Sequence, residues 1–298
     1  MTGRLPRVAV VGLGAMGSRL AHNLCARGYS VRVANRSPEP VQRLVAAGAT
    51  AAGSPAEAAA KADVVLVAVR DDAASEQVWL DPATGIAAAA APGTTAVELS
   101  TLSPGWIRRL AAAADAAGLR FLEAPMIGSR PQAEAGALVH LAGGPADVLT
   151  DVRAVLEVSA SRIHHVGAYG AAATLKLIVN ASLATQVATA AELLRVLRST
   201  DLDHGESLRI LTELPVTSPA LARAIGVMST GDFSPNFPVH LVAKDLDYLA
   251  ALAEDVGVQT PMARTALDGY RRAESNGLGA ADLTAIAAGF DPPEALGR

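Results

Sequence analysis

The feature that most constrains the fold of this chain is a glycine-rich turn close to its first residue. A short apolar run over residues 8–11 leads into Gly12-Leu13-Gly14-Ala15-Met16-Gly17. An apolar helical stretch follows, and a second β-like run over residues 30–34 leads into Asn35-Arg36-Ser37. The order strand, glycine turn, helix, strand and polar tip is the context in which a G-x-G-x-x-G spacing predicts a dinucleotide-binding fold.

Each glycine of this turn is expected to have its own physical role. Gly12 lets the chain turn sharply after the strand, Gly14 lets the backbone approach a pyrophosphate, and Gly17 lets the helix pack close to the strand. The N–H groups at the start of the helix, with the positive end of its dipole, favour the phosphates. We therefore expect the whole turn to bind a dinucleotide. The alternative is a glycine-rich turn that has no ligand.

The polar tip of the second strand predicts which dinucleotide binds. An NAD site favours Asp or Glu there, because a carboxylate accepts a hydrogen bond from the ribose 2′-OH. This chain has Asn35, Arg36 and Ser37, which can hydrogen-bond a 2′-phosphate, and Arg36 adds a positive charge. We therefore expect NADP(H) rather than NAD(H). The alternative is that Arg36 is a solvated loop charge.

Composition excludes several other classes of function. The 298 residues are enough for two domains, and the net charge of −4 gives no basic field that favours nucleic acid or an anionic membrane. Cys25 is the one cysteine, so no internal disulfide forms, and we expect a cytoplasmic location. The six histidines lack the spacing of metal ligands, even at the neighbours His164 and His165, so we expect no metal.

A second apolar stretch, over residues 175–197, has the length of a membrane span. It contains no Gly or Pro, but it includes Lys176, Asn180, Gln186, Glu192 and Arg195. A helix that crosses lipid rarely tolerates so many polar side chains. We interpret it as a buried helix of the protein and expect no membrane association.

The first part of the chain alternates between strand-like and helix-like patterns. The predicted strands cover residues 8–11, 30–34, 62–69, 94–99, 120–123, 137–142 and 162–166, with helices between them such as 40–47 and 104–117. Apolar strands that alternate with helices indicate a parallel sheet covered on both faces. From Ala171 to His204 there is no Gly or Pro, which predicts one helix of about 30 residues, and the chain is helical from there on.

Four motifs in order give the chain a specific resemblance. They are the glycine turn with Asn35-Arg36-Ser37, then Glu123-Ala124-Pro125-Met126-Ile127-Gly128-Ser129, then Gly167-x-x-Gly170 with Lys176-Leu177-Ile178-Val179-Asn180, and Phe237 leading to Lys244-Asp245-Leu246. The chain resembles the β-hydroxyacid dehydrogenases, the group of 3-hydroxyisobutyrate dehydrogenase and the tartronate, glyoxylate and succinic semialdehyde reductases. The resemblance extends nearly from end to end.

The resemblance implies a fold and a reaction. The expected fold is an α/β Rossmann domain with a mainly parallel, doubly wound sheet, followed by an all-α domain and joined to it by a long interdomain helix. We expect residues 1–167 to bind NADP(H) and residues 168–298 to form the substrate and dimerisation domain. The implied reaction is hydride transfer between NADP(H) and a small carbonyl compound or alcohol, with the nicotinamide between the two domains.

Lys176 is the first candidate for catalysis. It lies in a strongly apolar helix, where a buried ammonium group is costly unless it is used or paired. A lysine whose pKa is lowered by burial is a suitable general acid for carbonyl reduction. Asn180 lies four residues later on the same helical face. In the family the matching lysine is the general acid, and the matching asparagine holds the reacting oxygen. The alternative is that Lys176 snorkels to solvent.

The other expected site residues come from the same motifs. For the cofactor we expect contacts from Val69 and Thr101, each at the end of a strand, and from Lys244, which the family uses as a cation facing the cleft. Near the substrate we expect Phe237 and His240. The alternatives are a solvated Lys244–Asp245 pair on a helix, ordinary packing for Phe237, and a surface or partly packed His240.

The substrate loop, Met126, Ile127, Gly128 and Ser129, departs from the family pattern. The family serine that helps to hold a substrate carboxylate is Ile127 here, and Met126 replaces the usual valine. A hydrogen bond to a charged group contributes about 1.5–3 kcal/mol, so its loss weakens carboxylate binding. Either the backbone N–H groups of Gly128 and Ser129, with Arg130, compensate, or the substrate is larger or less polar. We favour the second interpretation.

Other functions stay open at this level. An imine reductase or reductive aminase has a similar fold, prefers NADPH and has an apolar pocket, which suits Met126 and Ile127. Many such enzymes have Asp or Tyr at the position of Lys176, which argues against that function. A non-catalytic NADP(H)-binding protein is disfavoured by Lys176 and Asn180. The helical part is too short for a complete 6-phosphogluconate dehydrogenase. We expect a homodimer or homotetramer.

Overall fold

The computed structural model of the chain describes residues 4–290, which divide into two compact units between Lys176 and Leu177. The first unit contains a nine-stranded sheet. Its strands are β1 (Val8–Val11), β2 (Val31–Ala34), β3 (Thr50–Ala51), β4 (Val64–Val67), β5 (Thr95–Glu98), β6 (Arg120–Glu123), β7 (Met126–Ile127), β8 (Leu138–Gly143) and β9 (Ala160–Gly167). Its helices are α1 (Gly17–Ala26), α2 (Pro38–Ala46), α3 (Pro55–Ala59), α4 (Asp72–Leu80), α5 (Pro104–Ala116), α6 (Arg130–Glu134) and α7 (Ala146–Leu156).

The second unit is helical within the described residues. Helix α8 (Ala171–Arg198) begins in the first unit and continues into the second. The helices that follow are α9 (His204–Glu213), α10 (Pro219–Thr230), α11 (Val239–Asp255), α12 (Pro261–Ala273) and α13 (Ile286–Gly289). A π-helical turn covers Glu274–Leu278, and short 3-10 turns cover Ile86–Ala88 and Leu283–Ala285.

The sheet confirms the mainly parallel, doubly wound fold. Its order is β3-β2-β1-β4-β5-β6-β8-β7, and β9 pairs with β8 outside this path. The pairs from β3 through β6 and the β8–β9 pair are parallel. The chain reverses direction across the sheet after β3, because β4 pairs with the free side of β1. Open sheets of this kind bind ligands at the carboxyl ends of the strands beside such a switch point.

Apolar side chains cover both faces of this sheet. In β1, Val8 and Val10 belong to one core cluster, whereas Ala9 and Val11 belong to the cluster on the opposite face. Because successive side chains of a strand point to opposite faces, a strand buried on both sides must be apolar throughout. This burial explains the continuous apolar runs in the sequence. Cys25 is half-buried against the first of these clusters, and burial raises the pKa of its thiol.

Some elements differ from the sequence expectations. β8 pairs antiparallel with both β6 and β7, so the part of the sheet beyond β6 is mixed and not purely parallel. Helix α8 has 28 residues and ends at Arg198, close to the length of about 30 residues that the sequence predicted. The Asp203 side chain accepts a hydrogen bond from the Glu206 N–H at 2.7 Å and so begins α9. A new N-cap therefore ends the long helix where no Gly or Pro does.

Helix α8 is long and apolar enough to cross a membrane by length and composition alone, as are the core helices of many soluble proteins. Lys176 and Asn180 are both buried on it. Along the second unit it contributes Ala184, Val187 and Ala191 to a core formed with α10, α11 and α12. In that core, the buried Tyr270 hydroxyl donates a hydrogen bond to the Ala184 carbonyl at 3.2 Å.

His140 is a buried polar residue of the first unit, placed on β8 opposite Met126. Its Nδ1 lies 2.9 Å from the Ala124 carbonyl oxygen, which can only accept, so Nδ1 carries the proton. Its Nε2 lies 3.3 Å from the Ser159 hydroxyl. Burial lowers the pKa of the imidazole to about 4, because the buried strand disfavours the charged ring.

We expect the stability of the protein to fall as the pH is lowered from about 6.5 to about 4. In this window an unfolded histidine is protonated while folded His140 stays neutral, so the unfolded state binds more protons. The contribution lost is about 3 kcal/mol across the window. Urea unfolding of His140→Asn, which keeps the donor to Ala124, should show a shallower pH dependence. The exposed His164→Gln should keep the wild-type dependence, and equal slopes in the two variants would contradict this assignment.

Candidate functional site

The glycine turn between β1 and α1 is constrained differently at its three glycines. Gly12 has φ +86°, and a Cβ there would overlap the Ala68 carbonyl oxygen. A Cβ at Gly17 would overlap the carbonyl oxygen of Gly12. A Cβ at Gly14 would meet no atom within 4 Å, and Gly14 does not have a positive φ. The fold itself requires glycine at the first and third positions, whereas Gly14 leaves open space in front of the turn.

This open space fits the phosphates of a dinucleotide. Helix α1 begins after Met16, and no side chain among the described residues caps the N–H groups at its start. Uncapped N–H groups at a helix start, in front of a residue without a side chain, form a site for phosphate. Leu13 is buried, and Ala15 is exposed beside Gly14. The residues present are therefore those that a pyrophosphate needs.

Asn35 connects the glycine turn to the tip of β2. Its Oδ1 accepts a hydrogen bond from the Leu13 N–H at 2.9 Å, and its Nδ2 donates to the Ser37 carbonyl at 3.0 Å. Asn35 therefore braces the turn, a role that its position in the sequence did not indicate. Arg36 and Ser37 are exposed, and Ser37 precedes α2 without capping it through its side chain.

The ends of β4 and β5 lie beside this turn in the order of the sheet. The Val69 N–H donates to the Ser100 hydroxyl at 2.7 Å, and the Ser100 N–H donates to Glu98 Oε1 at 3.0 Å. Val69 and Thr101 thus follow neighbouring strands that are tied together. The fold brings the predicted cofactor residues of the first unit to one edge of the sheet, at the carboxyl ends of β1, β4 and β5.

The substrate loop has fewer free donors than the sequence suggested. Met126 and Ile127 form β7 and are half-buried. Gly128 has φ +121°, and a Cβ there would lie 2.8 Å from Leu138 Cδ2. The Ser129 N–H donates to Gln132 Oε1 at 3.0 Å in a capping box at the start of α6. Of the two interpretations offered by the sequence, the one in which backbone N–H groups hold a substrate carboxylate has one donor fewer, because the helix cap uses the Ser129 N–H.

Arg130, the other group considered for a carboxylate, starts helix α6. Its Nε is shielded from solvent and has no hydrogen-bond partner among residues 4–290. A buried N–H without a partner is costly, so such a donor favours an anionic or carbonyl ligand beside it. Of the donors considered for a substrate carboxylate, the Ser129 N–H is thus already used, whereas Arg130 Nε is not.

In the second unit, Asp245 joins two of the predicted residues. Asn180 Nδ2 donates to Asp245 Oδ2 at 2.5 Å, and Lys244 Nζ lies 2.7 Å from Asp245 Oδ1. Lys244 also lies over the ring of Tyr248, 4.6 Å from its centre. The Lys244 side chain is 15% exposed and that of Asp245 is 4% exposed, so the pair is not the solvated pair of the alternative interpretation.

Asp245 and Tyr248 are functional candidates that the sequence reasoning missed. The signal for Asp245 was its place beside Lys244 in an otherwise apolar helical stretch. The signal for Tyr248 was its spacing of four residues from Lys244 on α11, which places both on one helical face. Neither signal identifies Asn180 on α8 as the partner of Asp245.

His240 lies in the first turn of α11, and Phe237 lies two residues before this helix. His240 Nδ1 lies 2.7 Å from the Gly279 carbonyl oxygen, which can only accept, so Nδ1 is the donor. The Phe237 N–H donates to Asp282 Oδ2 at 3.1 Å, and its half-buried ring packs against the second-unit core. The described residues contain no group of three His, Cys, Asp or Glu placed to hold a metal ion.

Lys176 is buried, with 7% of its surface exposed, so it does not snorkel to solvent. It is the last residue of the first unit, and Asn180 follows one turn later on α8. The helix thus presents a buried amine and a buried amide on one face. An ammonium held in this way can deliver a proton to a carbonyl oxygen.

Two family profiles cover most of the chain. Residues 7–167 match the profile described as the NAD binding domain of 6-phosphogluconate dehydrogenase. Residues 170–289 match that described as NAD-binding of NADP-dependent 3-hydroxyisobutyrate dehydrogenase. One profile ends at residue 167 and the other begins at residue 170.

Individual proteins are similar over the same length. NAD-dependent L-serine dehydrogenase from Pseudomonas aeruginosa is 33% identical, covering 97% of this chain and 99% of that protein. A solved structure of 3-hydroxyisobutyrate dehydrogenase from Mycobacterium tuberculosis with L-serine is 28% identical, with a TM-score of 0.87, covering 97% of this chain and 100% of that one. A solved structure of Psf3 with NADP+ and 2-OPP is 26% identical, with a TM-score of 0.87, covering 95% and 100%.

The two turn glycines give a matched pair of variants. We expect Gly14→Ala to leave the unfolding free energy within about 0.5 kcal/mol of wild type, because its Cβ meets open space. The same variant should weaken dinucleotide binding about 10-fold or more. Gly12→Ala should instead destabilise the protein by about 1–3 kcal/mol, because of its positive φ and its contact with Ala68. Urea unfolding and cofactor titration measure both effects, and unchanged affinity in Gly14→Ala would contradict the phosphate site.

Proposed function

This chain belongs to the β-hydroxyacid dehydrogenase family, and we propose that it reduces a small aldehyde or ketone with NADPH and oxidises the alcohol in reverse. The observation that carries the proposal is the buried pair of Lys176 and Asn180, one turn apart on α8. In this proposal residues 1–167 bind the cofactor and residues 168–298 serve substrate binding and dimerisation.

When bound, the nicotinamide supplies the hydride, and the chain supplies the proton and the orientation. The Lys176 ammonium donates a proton to the carbonyl oxygen as it gains negative charge. In the reverse direction neutral Lys176 takes the proton of the alcohol. A lysine amine suits both directions, because it can donate a proton as an ammonium and accept one as a free amine.

Asn180 orients the reacting oxygen in this mechanism. Its Nδ2 has two hydrogens, of which Asp245 accepts one, so the other is available to the substrate oxygen. Asp245 also holds Lys244, which we propose as the cationic contact to the cofactor. Asp245 is then a positioning residue, since its carboxylate fixes one residue on α8 and another on α11.

The proposed preference for NADPH rests on the tip of β2. The residues there are Asn35, Arg36 and Ser37, with no carboxylate to accept from a ribose 2′-OH. Arg36 is exposed and, in the described part of the chain, makes no ion pair, so its charge is available to a 2′-phosphate. The names of similar proteins include NAD in one case and NADP+ in another, so they do not distinguish the two cofactors. The proposal therefore rests on the side chains at the tip of β2.

The substrate class depends on two features of the substrate loop. Ile127 offers no side-chain donor and the Ser129 N–H is used by Gln132, which favours a less polar substrate. The names of similar proteins point to L-serine, a small hydroxy acid. If a carboxylate binds, Arg130 is the donor that replaces the missing serine. We favour a substrate less polar than the short hydroxy acids.

An imine reductase is the second candidate function. The apolar Met126 and Ile127 favour it, because an imine brings no carboxylate to be held. Lys176 disfavours it, as does the family profile over residues 170–289. A non-catalytic dinucleotide-binding protein is the third candidate.

We also propose a homodimer or homotetramer. Leu193 and Val196 on α8 are 60% and 59% exposed, and large apolar side chains exposed close together favour an interface. A cytoplasmic location without membrane or nucleic-acid partners stays part of the proposal, on the charge balance and the lone Cys25.

The leading test follows NADPH oxidation against a panel of carbonyl compounds. The panel contains glyoxylate, succinic semialdehyde, tartronate semialdehyde, uncharged aldehydes and a cyclic imine. We expect turnover of uncharged aldehydes to exceed that of the acids, and Lys176→Ala to lower kcat by about 100-fold or more. Lys61→Ala, at an exposed lysine, should keep the wild-type rate.

Each alternative has its own result in this panel. Turnover of the imine alone, unaffected by Lys176→Ala, would favour the reductive amination function. Binding of NADPH without turnover of any compound would favour the non-catalytic protein. A preference for acids would show that carboxylate binding is intact without the serine.

Cofactor choice is tested by comparing NADPH with NADH in Arg36→Ala. Loss of a charge-assisted hydrogen bond should weaken NADPH binding about 10- to 150-fold and leave NADH binding nearly unchanged. Arg43→Ala, at an exposed arginine later in α2, is the control and should change neither affinity. Equal use of both cofactors by the wild type would refute the preference.

A further inference from the structure

Two buried carboxylates lie side by side in the sheet, and the proposed mechanism uses neither. Glu98 ends β5, Glu123 ends β6, and the two are register partners on these parallel strands. Both residues are fully buried. Because register partners on adjacent parallel strands point to the same face, both carboxylates enter the same layer of the first unit. Two buried carboxyl groups in one apolar layer need specific hydrogen-bond partners.

Glu123 is compensated by the start of helix α8. Its Oε1 accepts hydrogen bonds from the Gly170 N–H at 2.6 Å and the Ala172 N–H at 3.3 Å. Its Oε2 accepts from the Ala173 N–H at 2.9 Å. These backbone groups can only donate, and they lie at the positive end of the helix dipole. A carboxylate from the sheet therefore caps the helix that carries Lys176 three residues later.

The surroundings of Glu123 fix its side chain. Gly143 on β8 has no Cβ, and a Cβ there would overlap Glu123 Oε1. Burial raises the pKa of Glu123, whereas the three amide donors and nearby Arg108 lower it. A Cβ at Gly170 would lie 2.7 Å from the Arg108 guanidinium, so this cation also contacts the start of the helix.

Glu98 is compensated by different donors. Its Oε2 accepts from the Ser75 hydroxyl and from Trp79 Nε1, both at 2.8 Å, and its Oε1 accepts from the Ser100 N–H at 3.0 Å. Trp106 Nε1 in turn donates to the Ser75 hydroxyl at 2.9 Å. Ser100 then accepts from the Val69 N–H, so Glu98 orders the two strand ends that carry Val69 and Thr101.

We propose that Glu98 and Glu123 are positioning residues with separate tasks. Glu123 fixes the first turn of α8 against the sheet and thereby sets the place of Lys176. Glu98 fixes the ends of β4 and β5 and thereby sets the edge that contacts the cofactor. The inference rests on the proposed function, since it assigns these tasks relative to NADPH and to Lys176.

The separate tasks predict opposite kinetic effects of two matched changes. Glu123→Gln keeps the shape but turns an –NH2 group toward N–H donors, so the helix start must shift. We expect kcat to fall about 30- to 100-fold, since small displacements of a catalytic group have effects of this size, while the Kd for NADPH stays within about twofold. Glu98→Gln should raise that Kd about 5- to 20-fold and lower kcat at saturating NADPH less than about threefold.

The aspartate variants separate charge from shape. Glu123→Asp keeps the charge and both acceptor oxygens, so it should retain more activity than Glu123→Gln, with a loss of about 3- to 10-fold. A side chain that only fills space would give the opposite order, because Gln has the volume of Glu. If Glu123→Gln fails to fold, Glu123→Asp and Glu98→Asp carry the comparison. Parallel changes of kcat and Kd in either variant would overturn the proposal.

Hydrogen exchange gives a readout that does not depend on turnover. Amides of residues 170–173 should exchange about 10- to 100-fold faster in Glu123→Gln than in wild type, and at the wild-type rate in Glu98→Gln. If the wild type turns over no compound of the panel, the proposed function fails. The hydrogen-exchange rates and the Kd for NADPH still test the two positioning tasks in that case. Unchanged exchange in Glu123→Gln would overturn the task of Glu123.

Discussion

The parallel pairing of β1 with β2 on one side and with β4 on the other is the constraint on which the first unit depends. It buries both faces of the central strands, so these strands must be apolar throughout. It also directs the carboxyl ends of β1, β4, β5 and β6 to one edge. The central strands β1 and β4 are apolar along their whole length, and the glycine turn, Ser100 and the two buried glutamates lie at that edge.

Buried carboxylates join elements that apolar packing alone would leave free to slide. Glu123 connects β6 to the start of α8, Glu98 connects β5 to α4 and to the end of β4, and Asp245 connects α11 to α8. Each accepts several hydrogen bonds in fixed directions, whereas contacts between alanine-rich surfaces have little directional preference. A chain in which alanine is abundant and aromatic residues are few therefore uses acidic side chains to fix the places of its reactive groups.

The sequence was sufficient for the elements whose signals are local. Apolar runs located β1, β2, β4, β5 and β6, and the glycine spacing identified the turn with the roles of Gly12 and Gly17. The length of α8 was predicted to within a few residues, but its last residue was not assigned, because an N-cap on Asp203 and not a Gly or Pro begins the next helix. A competing cap is a weak signal when the helix before it is long and apolar.

The site was only partly predictable because its decisive contacts join residues far apart in the chain. Lys176, Asn180 and Lys244 were found from motifs, but the carboxylate of Asp245 that binds two of them depends on the packing of α11 against α8. Likewise Asn35 was expected at the cofactor, and its hydrogen bond to Leu13 depends on the pairing of β1 with β2. No periodicity in one segment carries such information.

The substrate loop illustrates how a local hydrogen bond can change a chemical argument. From the sequence alone, the loop lacks the serine hydroxyl of the family pattern and keeps two backbone N–H groups for a carboxylate. In the fold, Gln132 takes the Ser129 N–H to begin α6, and the positive φ of Gly128 requires a residue without a side chain. The loop therefore has one backbone donor fewer than its sequence suggests, while Arg130 has a buried N–H to satisfy. Binding of a substrate carboxylate thus depends on whether Arg130 replaces both missing donors. A single guanidinium can do so only for a ligand that reaches the start of α6.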